Sequence, residues 1–281
     1  MTRELYRKLT NLLNNNEWLK VGDREKDLEN LLFEECCDNK DIEFLLELID
    51  NFLYIDNSKY YNDLKSIVDE MTSTYNAKST AIFAITKGYF PDSAQHLIYE
   101  LKTMLVNYSD WDEVPIITTM NKPIYKYEGI NLSIIKNLVL IDEFNGSGKT
   151  ALQRYTQICD DLERKGLDKN DYTIQYYYIT SMNEAHKLIE DESVCIKSIN
   201  KLDKAITGTD DDIEKKKRLE ILSSALSPKY KNEVLNFLGY GDAEALYVRE
   251  RGNTPNSVLP IFWWPRYFDE TNRKSILKRS I

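Results

Sequence analysis

The chain has 281 residues, of which 42% are hydrophobic and 30% charged, and its formal net charge is −9. That size suits one substantial domain with an appendage, and the negative balance argues against wrapping nucleic acid as the main task, which calls for a basic surface. No stretch approaches the roughly 18 uninterrupted apolar residues of a membrane span, and the charged start around Arg3, Glu4, Arg7 and Lys8 lacks the apolar core of a secretory signal, so a cytoplasmic chain is expected.

Residues 1–77 read as an N-terminal helical region. Asp41 is placed to cap a helix in which Ile42, Leu45, Leu46, Ile49, Phe52 and Leu53 share one face. Tyr60, Leu64, Ile67, Val68 and Met71 repeat the three-four spacing farther on. These stripes are core or a face for a protein partner, and no catalytic constellation accompanies them.

Residues 78–281 read as an α/β core. Its strands are Ala81–Thr86, Val114–Met120, Leu138–Ile141, Tyr172–Thr180 and a fifth near 193–199. Helices are expected after Asp92 and after Ala151, with a charged helical insertion near 210–238. Strands alternating with helices imply a mostly parallel sheet with helices on both faces. Continuous apolar runs imply central strands buried on both sides. The four cysteines form no C-x-x-C pair and only His96 and His186 are present, so neither a disulfide framework nor a zinc site is expected. Arg273, Lys274, Lys278 and Arg279 read as a solvated basic end.

One segment carries chemistry. In Leu138-Val139-Leu140-Ile141-Asp142-Glu143-Phe144-Asn145-Gly146-Ser147-Gly148-Lys149-Thr150 an apolar strand ends in two carboxylates and runs into a small-residue turn. A triphosphate loop of the G-x-x-x-x-G-K-[ST] type is one reading, but it needs Gly where Glu143 stands, and a carboxylate there repels the phosphates. The other reading uses every position. Asp142 and Glu143 accept hydrogen bonds from vicinal ribose hydroxyls, while Asn145, Gly146, Ser147, Gly148, Lys149 and Thr150 surround a 5′-phosphate at a helix N-terminus. The bland alternative is a strand–turn–helix with an acidic edge.

Apolar strand, acidic pair, spacers and Ser147-Gly148-x-Thr150 resemble the phosphoribosyl pyrophosphate signature of type I phosphoribosyltransferases. With Asp92-Ser93-Ala94-Gln95-His96 and Gly252-Asn253-Thr254-Pro255-Asn256, the chain resembles a divergent subgroup found in bacterial conflict and anti-phage systems, including retron-associated types. The resemblance implies an effector that binds phosphoribosyl pyrophosphate or a nucleotide with Mg2+ and acts at the ribose anomeric carbon, with Asp142 and Glu143 as catalytic residues. It implies a pyrophosphate loop at Lys87 and Gly88. Arg249, Arg251, Asn253 and Asn256 are candidate pocket walls, or an ordinary turn. Trp263 and Trp264 are more readily core than base-stacking groups. The basic and aromatic residues of a mobile catalytic loop are not recognisable, which leaves open a non-catalytic sensing module, and a scaffold acting through the N-terminal helices.

Overall fold

A computed structural model describes residues 2–86 and 93–280. In chain order the helices are α1 (Arg3–Asn15), α2 (Arg24–Asn30), α3 (Asn39–Asp50), α4 (Asn57–Thr74), α5 (Ser93–Leu105), α6 (Lys149–Glu163), α7 (Asn183–Asp191) and α8 (Asp212–Ser223). The strands are β1 (Leu53–Ile55), β2 (Thr80–Ala84), β3 (Ile116–Ile117), β4 (Asn137–Asn145), β5 (Thr173–Met182), β6 (Cys195–Leu202), β7 (Lys229–Tyr230), β8 (Glu233–Val234) and β9 (Tyr247–Arg249). They form two compact units, residues 58–202 and residues 1–57 with 203–281. The sequence boundary near residue 77 falls inside the first of these, between α4 and β2. No described helix is long and apolar enough to cross a membrane.

Unit 58–202 is an α/β layer built on a five-stranded, all-parallel sheet of order β3-β2-β4-β5-β6. Ala81–Ala84 and Leu138–Ile141 are completely buried, as central parallel strands must be. Period-two alternation sorts their side chains onto two faces. On one face Ala81, Phe83, Leu138, Leu140, Tyr176 and Tyr178 join Ala151, Ile158 and Leu162 of α6 and Ile189 of α7 in one core. On the other face the Tyr177 hydroxyl donates to Glu70 of α4 at 3.1 Å. α5 packs on β2 and β4. Helices thus flank the sheet as the alternating pattern implied. The second sequence strand shrinks to Ile116–Ile117, because the flanking residues leave the ladder and only Ile82 and Phe83 find partners there.

Unit 1–57 with 203–281 gathers α1–α3, α8 and the C-terminal segment. Leu53 does not extend the helical face of α3: the helix stops at Asp50, and Leu53–Ile55 pairs in parallel with Tyr247–Arg249. Phe52 meets the Phe262 ring edge-on, with centroids 5.1 Å apart. The charged helix α8 turns its cations inward: Lys215 meets Glu47 at 2.8 Å and Arg218 meets Asp41 at 2.6 Å. Of the C-terminal cations expected at a solvated end, Lys274 and Lys278 are exposed, whereas Arg273 is buried and Arg279 half-buried. Arg273 is buried against Glu35, Lys278 reaches Asp27 at 3.0 Å, and Arg279 reaches Glu233 at 2.6 Å. Trp263 and Trp264 are both buried.

The cap of α3 is Asp38, not Asp41. Asp38 accepts from the N–H groups of Lys40 and Asp41, and the Asp41 carboxylate returns a bond to the Asp38 N–H, closing a capping box. Those N–H donors, chiefly that of Asp41, hold the Asp38 carboxyl below its ordinary range. A depressed folded-state pKa stabilises above the unfolded pKa and is lost as pH falls through the folded value. Asp38→Ala should therefore lower the melting temperature at neutral pH and leave a variant whose stability falls less on acidification below about pH 4 than that of the wild type. Parallel curves for the two proteins across that range would contradict this.

Candidate functional site

From β2 the chain crosses to β3 on one side, then returns to place β4 on the other. The sheet's topological switch point therefore lies between β2 and β4. In open parallel sheets ligands bind in the crevice beyond the carboxyl ends of the strands at that point. Here those ends are Ile85–Thr86 after β2 and Asp142–Asn145 in β4.

β4 runs farther than its apolar core, so that the acidic pair and Asn145 belong to the strand itself. Asp142 and Glu143 are consequently not equivalent, because consecutive strand residues point to opposite faces. Asp142 is half-buried, and its Oδ1 accepts from the Ser93 hydroxyl at 3.0 Å and from the Glu143 N–H at 2.7 Å. Glu143 is only 2% exposed. Across the ladder Asp142 lies opposite Tyr178, whose hydroxyl is pushed up by burial and then by the Asp142 charge and stays a neutral phenol.

Asn145 bridges the turn that follows the strand. Its Nδ2 donates to Ser181 Oγ at 2.9 Å and its Oδ1 accepts from the Gly148 N–H at 3.1 Å. The side chain is buried and spans the turn, and so fixes the loop. Gly148 then caps α6 with φ of 74°, a left-handed conformation that side chains resist. A Cβ at that position would lie 3.2 Å from the Ala185 carbonyl oxygen. Gly146, Ser147 and Thr150 are half-buried and Lys149 is exposed. The first N–H groups of a helix have no intrahelical acceptor and carry its positive dipole end. A strand-end carboxylate thus stands beside an anion-receptive helix start, which matches a sugar hydroxyl next to a phosphate.

Lys87, Gly88 and Asp92 lie outside the described residues. The flanks of that segment are informative, and sequence reasoning passed over one of their partners. Arg154, one turn into α6, donates through Nε at 3.1 Å and through a second guanidinium nitrogen to the carbonyl of Thr86. No motif marks Arg154; only its spacing from Thr150 on the same helix hints at a role.

Arg249, Arg251, Asn253 and Asn256 belong to the other compact unit. Arg249 ends β9, and Arg251 is an exposed residue at φ of 57°. The Asn253 side chain is engaged within its unit: Nδ2 donates to the Ser280 carbonyl at 3.2 Å and Oδ1 accepts from the Ser280 N–H at 2.8 Å. The Asn256 carbonyl accepts from the Tyr240 N–H at 2.9 Å. Asn253 and Asn256 thereby serve as turn and tether.

Solved structures similar to this chain include orotate phosphoribosyltransferase from Aeropyrum pernix, with 16% identity, 60% of this chain and 78% of that one covered, and a TM-score of 0.32. Xanthine-guanine-hypoxanthine phosphoribosyltransferase of Helicobacter pylori has 11% identity, coverages of 53% and 83%, and a TM-score of 0.33. A hypothetical protein from Neisseria gonorrhoeae with bound ppGpp has 12% identity, coverages of 60% and 97%, and a TM-score of 0.30. No curated protein matches this chain. The family model PRTase-CE matches residues 28–279, nearly the whole sequence, and the chain belongs to that phosphoribosyltransferase-like family.

Proposed function

We propose that the β4–α6 loop binds the ribose 5-phosphate part of phosphoribosyl pyrophosphate or of a nucleotide, and that the protein acts at the ribose anomeric carbon. The observation that carries this reading is the conjunction at one switch point of Asp142 with the Gly148-capped start of α6. In this reading Asp142 accepts from the ribose hydroxyls, and the N–H groups of Gly146, Ser147, Lys149 and Thr150 donate to the phosphate, while that of Gly148 stays with Asn145. Ser147 and Thr150 add hydroxyl donors. The helix start contributes roughly half a positive charge. Glu143, inside the strand, contributes negative potential under the sugar as positive charge develops at C1′. The bond from C1′ to pyrophosphate, or to the base of a nucleotide, breaks as an acceptor nitrogen or water attacks.

Magnesium belongs to this reading with the ligand, where it screens charge on the leaving group. Among the described residues no cluster of three or more His, Cys, Asp or Glu side chains forms a metal site of its own. Asp142, half-buried at the strand end, is the carboxylate placed to meet a ligand-borne ion. The biological role proposed with this chemistry is that of an effector in bacterial anti-phage defence, with the N-terminal helices as the face for protein partners. An unchanged nucleotide pool in cells expressing the activated protein would remove the effector role.

Calorimetry with magnesium phosphoribosyl pyrophosphate tests the binding. The wild type should bind, and Asp142→Asn with Glu143→Gln should lose at least about 2 kcal/mol of affinity, the scale of a lost charge-assisted hydrogen bond. Silence of the wild type toward this ligand, ribose 5-phosphate and common nucleotides would sink the proposal. The burial of Glu143 favours one second reading, a sensor that binds without turnover. Binding without release of pyrophosphate or base identifies that case.

A further inference from the structure

A second group of polar side chains lies at β6, two strands away from β4 in the same sheet. The connection from β5 to β6 lays α7 against β6, and His186 of that helix reaches Ser198 of the strand. His186 Nδ1 and Ser198 Oγ are 3.2 Å apart. One helical turn on, Glu190 Oε1 lies 3.3 Å from His186 Nε2. A carboxylate accepts and does not donate, so Glu190 favours the imidazole tautomer with its hydrogen on Nε2. The lone pair of Nδ1 is then turned to the Ser198 hydroxyl. His186 is 4% exposed, and burial, then the Lys201 charge, holds its pKa below the ordinary value although Glu190 acts the other way. The ring is therefore a neutral base at neutral pH. Ser198, His186 and Glu190 share a cavity of about 380 Å³ with Ile67, Ile199 and Lys201. Tyr178 stands opposite Asp142 on one side and Ser198 on the other, so it separates this cavity's serine from the end of β4.

We infer that Ser198, His186 and Glu190 form a second catalytic site, in which Ser198 is the nucleophile for hydrolysis of short acyl esters. A hydroxyl within reach of a base, and a base oriented by a third group, is what activates a serine. Ser198 Oγ attacks the ester carbonyl carbon as its proton passes to His186 Nδ1. Glu190 holds the imidazolium through Nε2, as a positioning residue that does not touch the substrate. Lys201 is the cation of the cavity that offsets the oxyanion. The bond to the leaving alcohol then breaks, and His186 returns the proton to that oxygen. Water, deprotonated by the same nitrogen, attacks the acyl-serine, releases the carboxylic acid and restores Ser198. The apolar side chains of Ile67 and Ile199 suit a short acyl group, and a cavity of this volume is within the range of small-molecule sites.

An alkyl fluorophosphonate, which phosphonylates activated serines with release of fluoride, and p-nitrophenyl acetate are the probes. Mass spectrometry of the full chain should show one phosphonyl group, mapped to Ser198 and not to the nearby, exposed Ser193. Ser198→Ala should abolish both the adduct and the hydrolysis of p-nitrophenyl acetate. His186→Gln should slow both by about a hundredfold or more, the scale of a lost general base. Glu190→Gln keeps the shape of an exposed side chain and removes its charge. It should lower kcat toward p-nitrophenyl acetate by about tenfold or more, as loss of an orienting partner does, with KM within about twofold. Melting curves identify a variant that does not fold, and the exposed Glu190 position keeps the test open if the buried His186 variant fails. A wild type that takes no adduct, or takes it elsewhere, overturns the site. So does hydrolysis equal in wild type and Ser198→Ala, or a kcat unchanged in folded Glu190→Gln. Each of these results leaves the ribose-phosphate reading of the β4–α6 loop untouched, because neither probe carries a sugar or a phosphate ester of one.

Discussion

Replacing Arg273 by Met should remove about 3–5 kcal/mol of unfolding free energy, the cost of stranding a buried charge when its partner is deleted. The Arg273 and Glu35 side chains are 1% and 8% exposed. Arg273 Nε lies 2.9 Å and 3.0 Å from the two Glu35 oxygens, and Nη2 lies 2.9 Å from Oε2. The other donors are engaged as well, Nη1 with the Trp264 carbonyl at 3.0 Å and Nη2 with that of Ile261 at 2.7 Å. The guanidinium therefore ties the C-terminal segment to the end of the N-terminal helices within one compact unit. With Met in its place, Glu35 keeps, among the described residues, the bond from the Tyr267 hydroxyl, and two buried carbonyls lose their donors. Urea unfolding followed by tryptophan fluorescence reads the loss, in the transition of the unit containing residues 1–57 and 203–281. Glu35→Gln combined with Arg273→Met should cost less than the sum of the two single changes, because neither charge is then stranded. A single-variant loss below about 1 kcal/mol would mean that the pair is solvated in solution.

That pair also marks where sequence reasoning stops. Its members stand 238 positions apart, and nothing local distinguishes a buried Arg273 from a solvated one in a basic terminus. The three-residue strands β1 and β9 were hidden for a related reason. Phe52 and Leu53 continue the apolar spacing of α3, and only a partner strand nearly two hundred residues away makes Leu53 extended. The parallel sheet was legible because burial on both faces writes itself as Ala81–Ala84 and Leu138–Ile141, runs that no solvent-facing element tolerates. The β4–α6 loop was legible because a strand, a left-handed turn and a helix start each demand particular residues in consecutive order. What that order does not encode is direction. It placed Asp142 and Glu143 side by side as equal acceptors and Asn145 among the donors, whereas strand alternation buries Glu143 and the turn uses both ends of Asn145. Arg154 was missed because a carbonyl acceptor such as that of Thr86 leaves no trace in residue type.

The two ends of α6 offer a comparison that separates the backbone demands of the loop from its proposed ligand role. Gly148 before the helix and Gly166 after it both have positive φ, 74° and 68°. At the C-terminal end the Gly166 N–H donates to the Glu163 carbonyl and the Leu167 N–H to that of Leu162, a left-handed helix stop with nothing within 4 Å of an added Cβ. Gly166→Ala should therefore cost about 1–2 kcal/mol, the left-handed penalty alone, and leave ligand affinity unchanged. At the N-terminal end the same penalty applies, but the new Cβ would stand 3.2 Å from both the Ala185 carbonyl oxygen and Leu188 Cδ2. The leucine side chain can turn away; the carbonyl belongs to α7 and cannot move without shifting the helix. Gly148→Val, β-branched in a conformation such residues avoid, should cost on the order of 2–5 kcal/mol as strain and overpacking combine. Its displaced turn also breaks the register of the Gly148 N–H with Asn145, so the folded fraction should bind magnesium phosphoribosyl pyrophosphate at least about tenfold more weakly. Equal stability losses at the two glycines would show that Ala185 yields freely. Unchanged affinity in folded Gly148→Val would mean that the phosphate is held elsewhere, since no helix start can keep its N–H groups aimed at a ligand after its capping residue has been forced out of the left-handed region.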